Sequence, residues 1–150
     1  TVMGRMVSGG TVDEPIGRHK TDRLKMAVRR DGRPAVTHYR VQNRYRAHTR
    51  LRVQLETGRT HQIRVHMTHL KRPLVGDPVY GGRLAQPPHS SKDFLDALRE
   101  FRRQALHATE LHVPHPITGE VMEFTADIPA DMARLHEAMM QDAAEHAHDE

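Results

Sequence analysis

Alternating apolar and polar positions predict two strands in the first half of the chain. Leu51, Val53 and Leu55 alternate with polar and charged neighbours over residues 48–56, which is the period of a half-buried strand. Residues 35–42 form a second predicted strand. The connection between the two is short, so we expect them to pair as an antiparallel hairpin.

A helical period follows the second of these strands. Ile63, Met67 and Leu70 fall at positions i, i+4 and i+7, so they predict one apolar stripe on a helix. We expect this helix to start at about Thr60, with the Thr60 side chain as its N-cap. It should end near residues 71–73, before a turn-rich segment.

The rest of the chain alternates predicted turns, helices and strands. Residues 1–34 are rich in glycine and arginine and carry several turn signals. The basic run at 18–30 is predicted to be loop-like, although Ile16, Leu24, Met26, Ala27 and Val28 could pin it to a sheet edge. Residues 84–91 are a predicted surface loop, and the tail after Ala143 is expected to fray. A helix is predicted at 92–103, with Phe94, Leu95, Leu98 and Phe101 inward. Strands are predicted at 105–113 and 120–126, joined by a turn at 115–119. A last helix is predicted to open at 127–131, with Met132, Leu135 and Met139 inward. Mixed helices and hairpin strands predict an α+β fold, with a mainly antiparallel mixed sheet flanked by helices, in one domain over residues 1–150.

Composition narrows the class of protein. The 150 residues are 37% hydrophobic and contain no cysteine, which excludes disulfides and thiolate metal sites and favours a reducing compartment. No segment approaches the roughly 20 apolar residues of a membrane-spanning helix. These features predict a protein of the cytoplasm with no membrane partner.

Charge is divided unevenly along the chain. Residues 1–72 hold 17 Lys and Arg against 5 Asp and Glu, whereas residues 73–150 hold 6 against 14. Fourteen of the 17 cations are arginines, which suit bidentate contacts with phosphate. A cationic half of this kind favours a polyanionic partner, although a merely basic domain remains an alternative.

Familiar catalytic and metal motifs do not occur. Thirteen histidines raise the possibility of a metal, but no H-E-x-x-H run or other complete ligand spacing is present, and His107 and His112 fall on opposite faces of one predicted strand. The chain also lacks G-x-S-x-G, phosphate-loop and dinucleotide-binding signatures. The sequence therefore predicts neither a metal nor a cofactor.

The candidates for chemistry that remain are Tyr39, Arg59, Arg64 and the turn from Asp77 to Tyr80, and most of them have a structural alternative. Tyr39 lies on a predicted strand and could be a half-buried strand residue, while Arg64 could be a solvated helix cation. We interpret Asp77 as a turn-forming residue before Pro78, and Tyr80 as a ring that packs over the loop.

Several linked motifs resemble the RluA-type RNA pseudouridine synthases. Residues 55–67 (LETGRTHQIRVHM) resemble the third signature motif of that family, and residues 76–81 (GDPVYG) resemble the turn that follows it. Residues 35–41 (AVTHYRV) resemble the motif that carries the active-site tyrosine. Further family-like runs are PIGRH at 15–19 and QALHA at 104–108, so the likeness extends over most of the chain.

The resemblance implies isomerisation of uridine to pseudouridine in RNA, most of all in large-subunit ribosomal RNA of the 23S type, without a cofactor or metal. It implies that Tyr39 stacks on the flipped base and can assist removal of the proton from C5, and that Arg64 pairs with a catalytic aspartate. A buried carboxylate needs such a cationic partner to stay ionised. The predicted RNA contacts are Arg18, His19, Lys20, Arg23, Lys25, Arg50, Arg52, Arg59 and His61.

One departure from the family pattern is large. The family's aspartate lies in an H-R-L-D motif that precedes the segments above, and these 150 residues contain no such motif. Residues 22–24 (DRL) have three of the letters in the wrong order and are not a substitute. The resemblance thus implies the C-terminal half of a catalytic domain, without its nucleophilic aspartate or an S4-like RNA-binding domain, and with a sheet edge that needs the N-terminal half as a partner.

Two hypotheses follow. The chain is either part of an RNA pseudouridine synthase, inactive by itself for lack of the aspartate, or a non-catalytic RNA-binding fragment that uses the basic N-terminal face. A DNA-binding module is the weakest alternative, because nothing in the sequence resembles a groove-reading helix with dimer symmetry.

Overall fold

The computed structural model describes residues 1–82 and 86–147. Parts of two predicted segments, the surface loop at 84–91 and the C-terminal tail, lie outside those residues. The described elements, in chain order, are β1 (Val2–Met3), β2 (Gly10–Asp13), β3 (Ile16–Arg18), β4 (Met26–Val28), β5 (Val36–Arg44), β6 (His48–Leu55), α1 (Gln62–His69), α2 (Lys92–Glu100), β7 (Glu110–Pro114), β8 (Val121–Thr125) and α3 (Ala130–Glu145).

The strands form three antiparallel sheets. The main sheet has four strands in the order β1-β6-β5-β2, and the pairs β3-β4 and β7-β8 form two further sheets of two strands each. Strands β5 and β6 are the predicted hairpin, in which Tyr39 lies opposite Val53 and a bulge falls between Val41 and Asn43. The α+β class and the antiparallel pairing are confirmed.

Helices cover both faces of β6. Leu51 on β6 packs in a cluster with Ile63 and Met67 of α1, whereas the His48 ring contacts the ring of Phe94 in α2 edge-on at 6.4 Å. Residues three apart on a strand point to opposite faces, so α1 lies on one side of the sheet and α2 on the other. The predicted inward stripes are confirmed except at Leu95. Ile63, Met67 and Leu70, at and just after α1, share one apolar cluster. Another cluster, which does not include Leu95, is formed by Phe94, Leu98, Phe101, Met132, Leu135 and Met139.

The N-terminal segment contains four short strands, and two of them, β3 and β4, pair across the basic run that was predicted to be loop-like. Strand β2 pairs with β5 over its whole length, with Gly10 opposite Tyr39. A Cβ atom on Gly9 would lie 2.5 Å from the Tyr39 carbonyl oxygen. Glycine here lets two backbones approach closely, so a residue type that usually marks a turn instead marks a strand pairing.

The predicted N-cap of α1 is also wrong. The helix begins at Gln62 rather than at about Thr60, and the residue at the cap position is His61, whose side chain makes no capping hydrogen bond. His61 has the left-handed backbone angles φ 56° and ψ 23°, which are uncommon for a residue other than glycine. The chain therefore turns sharply at His61 before it enters the helix.

The helices of the described ranges are all too short or too polar to span a lipid bilayer.

Candidate active site around Arg64

Arg64 forms an ion pair with Asp77 at the first turn of α1. Arg64 Nε donates to Asp77 Oδ2 and Arg64 Nη2 donates to Asp77 Oδ1, both at 2.8 Å. The Asp77 side chain is fully buried, and only 11% of the Arg64 side chain is exposed. Such a two-bond fork fixes the plane of the guanidinium as well as its position.

The interpretation of Asp77 as only a turn-forming residue is incomplete. Its Oδ1 atom does accept hydrogen bonds from the backbone N–H groups of Val79, at 2.9 Å, and Tyr80, at 3.1 Å. Burial opposes ionisation of Asp77, but these bonds and those from Arg64 outweigh it and lower the pKa of Asp77 below its usual value. Asp77 is thus a buried, ionised anchor, and no face of its carboxylate is open to a substrate.

Tyr80 packs between Arg64 and His61. Its ring lies 5.0 Å from the Arg64 guanidinium carbon, a cation–π contact, and 5.6 Å from the His61 ring, centre to centre and edge-on. The ring therefore packs against residues of α1 and the β3–β4 hairpin, which goes beyond packing over its own loop. The Asp77 turn places Tyr80 there.

The Tyr80 hydroxyl joins two elements that are distant in the chain. The Met26 N–H group on β4 donates to Tyr80 Oη at 2.7 Å, and His61 Nδ1 lies 2.8 Å from the same oxygen. Burial and the positive charge of Arg64 lower the pKa of His61, against the attraction of Asp77. His61 is therefore neutral near pH 7.

A second buried network holds α1 on the sheet. Gln62 Nε2 donates to Thr37 Oγ1 at 2.9 Å, and Thr37 Oγ1 lies 2.7 Å from His66 Nδ1. His66 Nε2 meets the backbone oxygen of Glu14 at 2.9 Å, so Nε2 carries the proton and Nδ1 accepts from the Thr37 hydroxyl. Burial lowers the pKa of His66. Both ring nitrogens of His66 thus have a hydrogen-bond partner. These bonds fix the rotation of α1 about its axis and therefore the direction in which Arg64 points.

Tyr39, the predicted base-stacking ring, lies on the other side of α1 from Tyr80. It packs with Val41 and Leu51 of the sheet against Ile63 and Met67, and its ring is half-buried. No hydrogen bond or ring contact joins Tyr39 to Arg64 among the described residues. The structure thus brings Tyr80, rather than Tyr39, against Arg64.

The predicted RNA contacts separate into two groups. Arg18, His19, Lys20, Arg23 and Lys25 lie together on the β3–β4 hairpin or its turn, next to α1, and the Arg59 side chain donates to the Pro34 oxygen at 2.8 Å close to the same helix end. Arg52, in contrast, bonds Glu110 at 2.7 Å, and Arg50 is half-buried beside Ile128 and the α3 residue His136. Only the first group shares a surface with His61 and Arg64.

One set of possible metal ligands lies away from this site. Glu110, His112 and Glu123 on the β7–β8 hairpin bring three ligand atoms within 4.8 Å of one another. Sequence spacing missed this set because it depends on strand register, in which His112 lies opposite Glu123. All three side chains are exposed and Glu110 already binds Arg52, so nothing further indicates a metal there.

Comparison with known proteins explains this arrangement. The family model described as "RNA pseudouridylate synthase" matches residues 2–69, which include Tyr39, His61 and Arg64. A protein of Escherichia coli strain K12, ribosomal large subunit pseudouridine synthase D, is 60% identical over 144 residues. By these matches the chain is similar to RNA pseudouridylate synthases over nearly its whole length. A protein of the same name from Xanthomonas campestris is 58% identical over 143 residues.

The chain spans less than half of these relatives. The match to the Escherichia coli protein covers 96% of this chain but 44% of the relative, and the Xanthomonas match covers 43%. Two solved human family structures agree with the fold. RNA pseudouridylate synthase domain containing 4 has a TM-score of 0.66 at 28% identity, over 93% of this chain and 59% of the other. Domain containing 1 has a TM-score of 0.66 at 25% identity, over 85% and 52%.

The sequence pattern identified Arg64 but not its partner in the chain. The resemblance implied pairing with an aspartate outside the 150 residues, whereas two of the three guanidinium nitrogens already bind Asp77. A signal was present in the buried-turn run GDPVY, because an aspartate that precedes proline commonly accepts backbone N–H groups in a turn. What the run could not indicate is that Asp77 would face a helix thirteen residues earlier.

Proposed function

We propose that the chain is part of an enzyme that isomerises uridine to pseudouridine in large-subunit ribosomal RNA. The observation that carries the proposal is the buried Arg64–Asp77 pair at the start of α1, with Arg64 inside the segment that matches the family model. The names of the Escherichia coli and Xanthomonas relatives support the choice of RNA. We place the activity in the cytoplasm, where bacterial ribosomal RNA is found.

In this proposal Arg64 supports the catalytic carboxylate. Its Nε and Nη2 atoms bind Asp77, while Nη1 makes no hydrogen bond within the described part of the chain. Nη1 can therefore donate to a second carboxylate, and a fixed cation at that distance keeps the carboxylate ionised. The H-R-L-D aspartate that the family uses is not among these 150 residues, so it must be contributed by residues outside them.

The RNA would approach over the β3–β4 hairpin. Its turn concentrates cations beside α1, and phosphate contacts of this kind supply affinity that falls with added salt. A target base has to leave its stack before chemistry and needs an aromatic or apolar face to hold it. Tyr39 stays our prediction for that ring, since it is half-buried beside Ile63 rather than fully enclosed.

The alternative is an RNA-binding fragment without activity. It is favoured by one observation, the lack of an H-R-L-D motif in these residues. The two functions share the basic hairpin and differ only in whether Arg64 meets a catalytic aspartate.

A chimera tests the proposal. The matching 144 residues of the Escherichia coli relative are replaced by those of this chain and expressed in a strain that lacks the relative; pseudouridine in large-subunit ribosomal RNA is then mapped by chemical modification and primer extension. We expect the chimera to form pseudouridine. Arg64→Lys keeps a charge for Asp77 but loses the fork, so it should lower kcat by about 100-fold or more with RNA affinity within about twofold.

Two controls accompany the chimera, and each proposed role has a result that would contradict it. Thermal unfolding of each chimera shows whether it is folded, and Arg30→Lys changes an exposed arginine outside the site. A folded chimera that binds RNA and forms no pseudouridine would support the RNA-binding alternative. Near-normal turnover in Arg64→Lys would contradict the role given to Arg64, and near-normal turnover in Tyr39→Phe would contradict a proton-transfer role for Tyr39.

A further inference from the structure

Tyr80 is a buried residue whose hydroxyl oxygen makes contacts that neither the family resemblance nor the proposed function explains. Only 9% of the residue is exposed, and its ring belongs to the apolar cluster that contains Val65 of α1 and Ile16 of β3. A phenylalanine would fill the same space. The hydroxyl is therefore the part of Tyr80 that packing alone does not explain.

The proton on this hydroxyl has one acceptor among the described residues. The oxygen accepts from the Met26 N–H group at 2.7 Å, so its own hydrogen must go elsewhere, and His61 Nδ1 at 2.8 Å is the nitrogen in reach. A neutral imidazole that accepts at Nδ1 carries its proton at Nε2. Nε2 makes no hydrogen bond within the described ranges.

The backbone of His61 gives an independent reason to look for a function there. Its φ of 56° is left-handed, in a position where its side chain does not cap α1. Strained backbone of this kind persists only where the surrounding contacts hold it, and it is concentrated at functional sites. Here the contact that holds the side chain is Tyr80.

The same hydroxyl also ties the basic hairpin to the helix. Met26 is the first residue of β4, directly after the turn that carries Lys20, Arg23 and Lys25. That hairpin packs on Val65 and Tyr80 through Ile16, Met26 and Val28. The Met26–Tyr80 bond is thus a polar link, in an otherwise apolar contact, between the cationic turn and the residues beside Arg64.

We propose that Tyr80 is a positioning residue that sets His61 as an Nε2–H donor toward the RNA and holds the basic hairpin in register with it. The inference rests on the proposed function, because it takes RNA as the ligand. A phosphate oxygen or a base carbonyl next to the target nucleotide is the acceptor that a neutral imidazole N–H would recognise. His61 then contributes a directional contact, while the hairpin cations contribute charge.

Tyr80→Phe tests the inference, since it removes the hydroxyl and keeps the buried ring. Nitrogen-15 spectra of the histidine rings in the 150-residue chain report the tautomer directly. We expect His61 to be protonated at Nε2 in the unaltered chain and to populate both tautomers in Tyr80→Phe, and we expect exchange of the Met26 amide hydrogen to become faster. Affinity for a ribosomal RNA fragment should fall by about three- to tenfold.

Two further variants separate positioning from simple loss of stability. His61→Gln should weaken RNA binding to a similar extent, and adding Tyr80→Phe to it should cost little more, because the two changes remove one shared contact. Tyr45→Phe is the matched control. It removes a hydroxyl buried in the core cluster that contains Phe94 and Met139, and it should leave both the His61 tautomer and RNA affinity unchanged.

The inference is overturned if His61 carries its proton at Nδ1 in the unaltered chain, or if Tyr80→Phe leaves the tautomer and the affinity unchanged. Failure of the proposed function looks different. In that case the chimera forms no pseudouridine, while the tautomer and the Met26 exchange still respond to Tyr80→Phe.

Discussion

The surroundings of Arg64 and the β7–β8 hairpin are opposite kinds of structure within one chain. Around α1, Asp77 and His66 are buried and hydrogen-bonded on all sides. On the hairpin, Leu111 and Phe124 lie directly opposite each other, on one face of a two-stranded sheet, with 57% and 52% of each residue exposed. The first region is complete by itself, whereas the second presents apolar surface to solvent.

This difference shows that the Arg64 site is held together by contacts within the chain, whereas the apolar face of the β7–β8 hairpin is left exposed. A two-stranded hairpin is marginal in water unless another layer covers it. Contiguous exposed apolar side chains commonly mark a surface that meets another polypeptide. The hairpin fits the predicted need for a partner segment, which stays a prediction. The arginine site needs no such partner to be formed, although the proposed chemistry needs an aspartate from elsewhere.

The largest effect is expected from breaking the buried ion pair. Asp77→Asn keeps the shape of the side chain but leaves Arg64 without a counter-charge, so it should lower the free energy of unfolding by about 3 kcal/mol. Urea unfolding followed by circular dichroism measures the change.

A matched control exists for this prediction. Arg103 and Asp131 form the same two-bond fork at 2.8 Å, but 41% and 49% of their side chains are exposed. Asp131→Asn should therefore lower the free energy of unfolding far less than Asp77→Asn does, because water screens an exposed pair. Equal losses in the two variants would show that burial does not set the strength of the Arg64 pair.

An intermediate effect is expected from acid. The pKa of His66 is lowered by burial in the folded state, and burial beside Arg50 lowers the pKa of His136 to about 4. The unfolded chain takes up these protons near pH 6.5 while the folded chain resists them. The stability that comes from keeping both histidines neutral is therefore fully present above about pH 6.5. As the pH falls below that value, the free energy of unfolding decreases by up to about 1.4 kcal/mol per pH unit for each histidine.

Urea midpoints between pH 7.5 and pH 5.5 test this. Leu24→Ala, a change in an exposed side chain that carries no titrating group, should leave the slope of stability against pH as it is. A midpoint that stays constant over this range would mean that the buried histidines are not held in the neutral form.

The smallest effect on stability is expected at the hairpin. Leu111→Thr combined with Phe124→Thr should change the free energy of unfolding by about 1 kcal/mol or less, because 57% and 52% of the two residues are already exposed and threonine keeps the strand preference. The same variant should reduce self-association, measured by sedimentation at increasing protein concentration. A large loss of stability, or unchanged association, would show that this face is already covered within the chain.

Much of the fold could be predicted from short-range pattern. The alternation at Leu51 and Val53 specified a strand, and the spacing of Ile63, Met67 and Leu70 specified the buried side of α1, because period alone decides which side chains share a face. Strands β1 to β4 could not be found in this way. They are two to four residues long, and β2 depends on glycines that pattern reading assigns to turns.

The candidate site, like the fold, could be predicted from the sequence only in part. The sequence by itself determined that Arg64 would stand near the start of a helix after a glycine turn, and that cations would gather in the first half of the chain. Only the tertiary structure decided what those groups meet: Asp77 beneath Arg64, and the Tyr80 hydroxyl between Met26 and His61. Periodicity acts within one element, whereas these contacts join residues 13, 54 and 19 positions apart, whose proximity depends on how the elements pack.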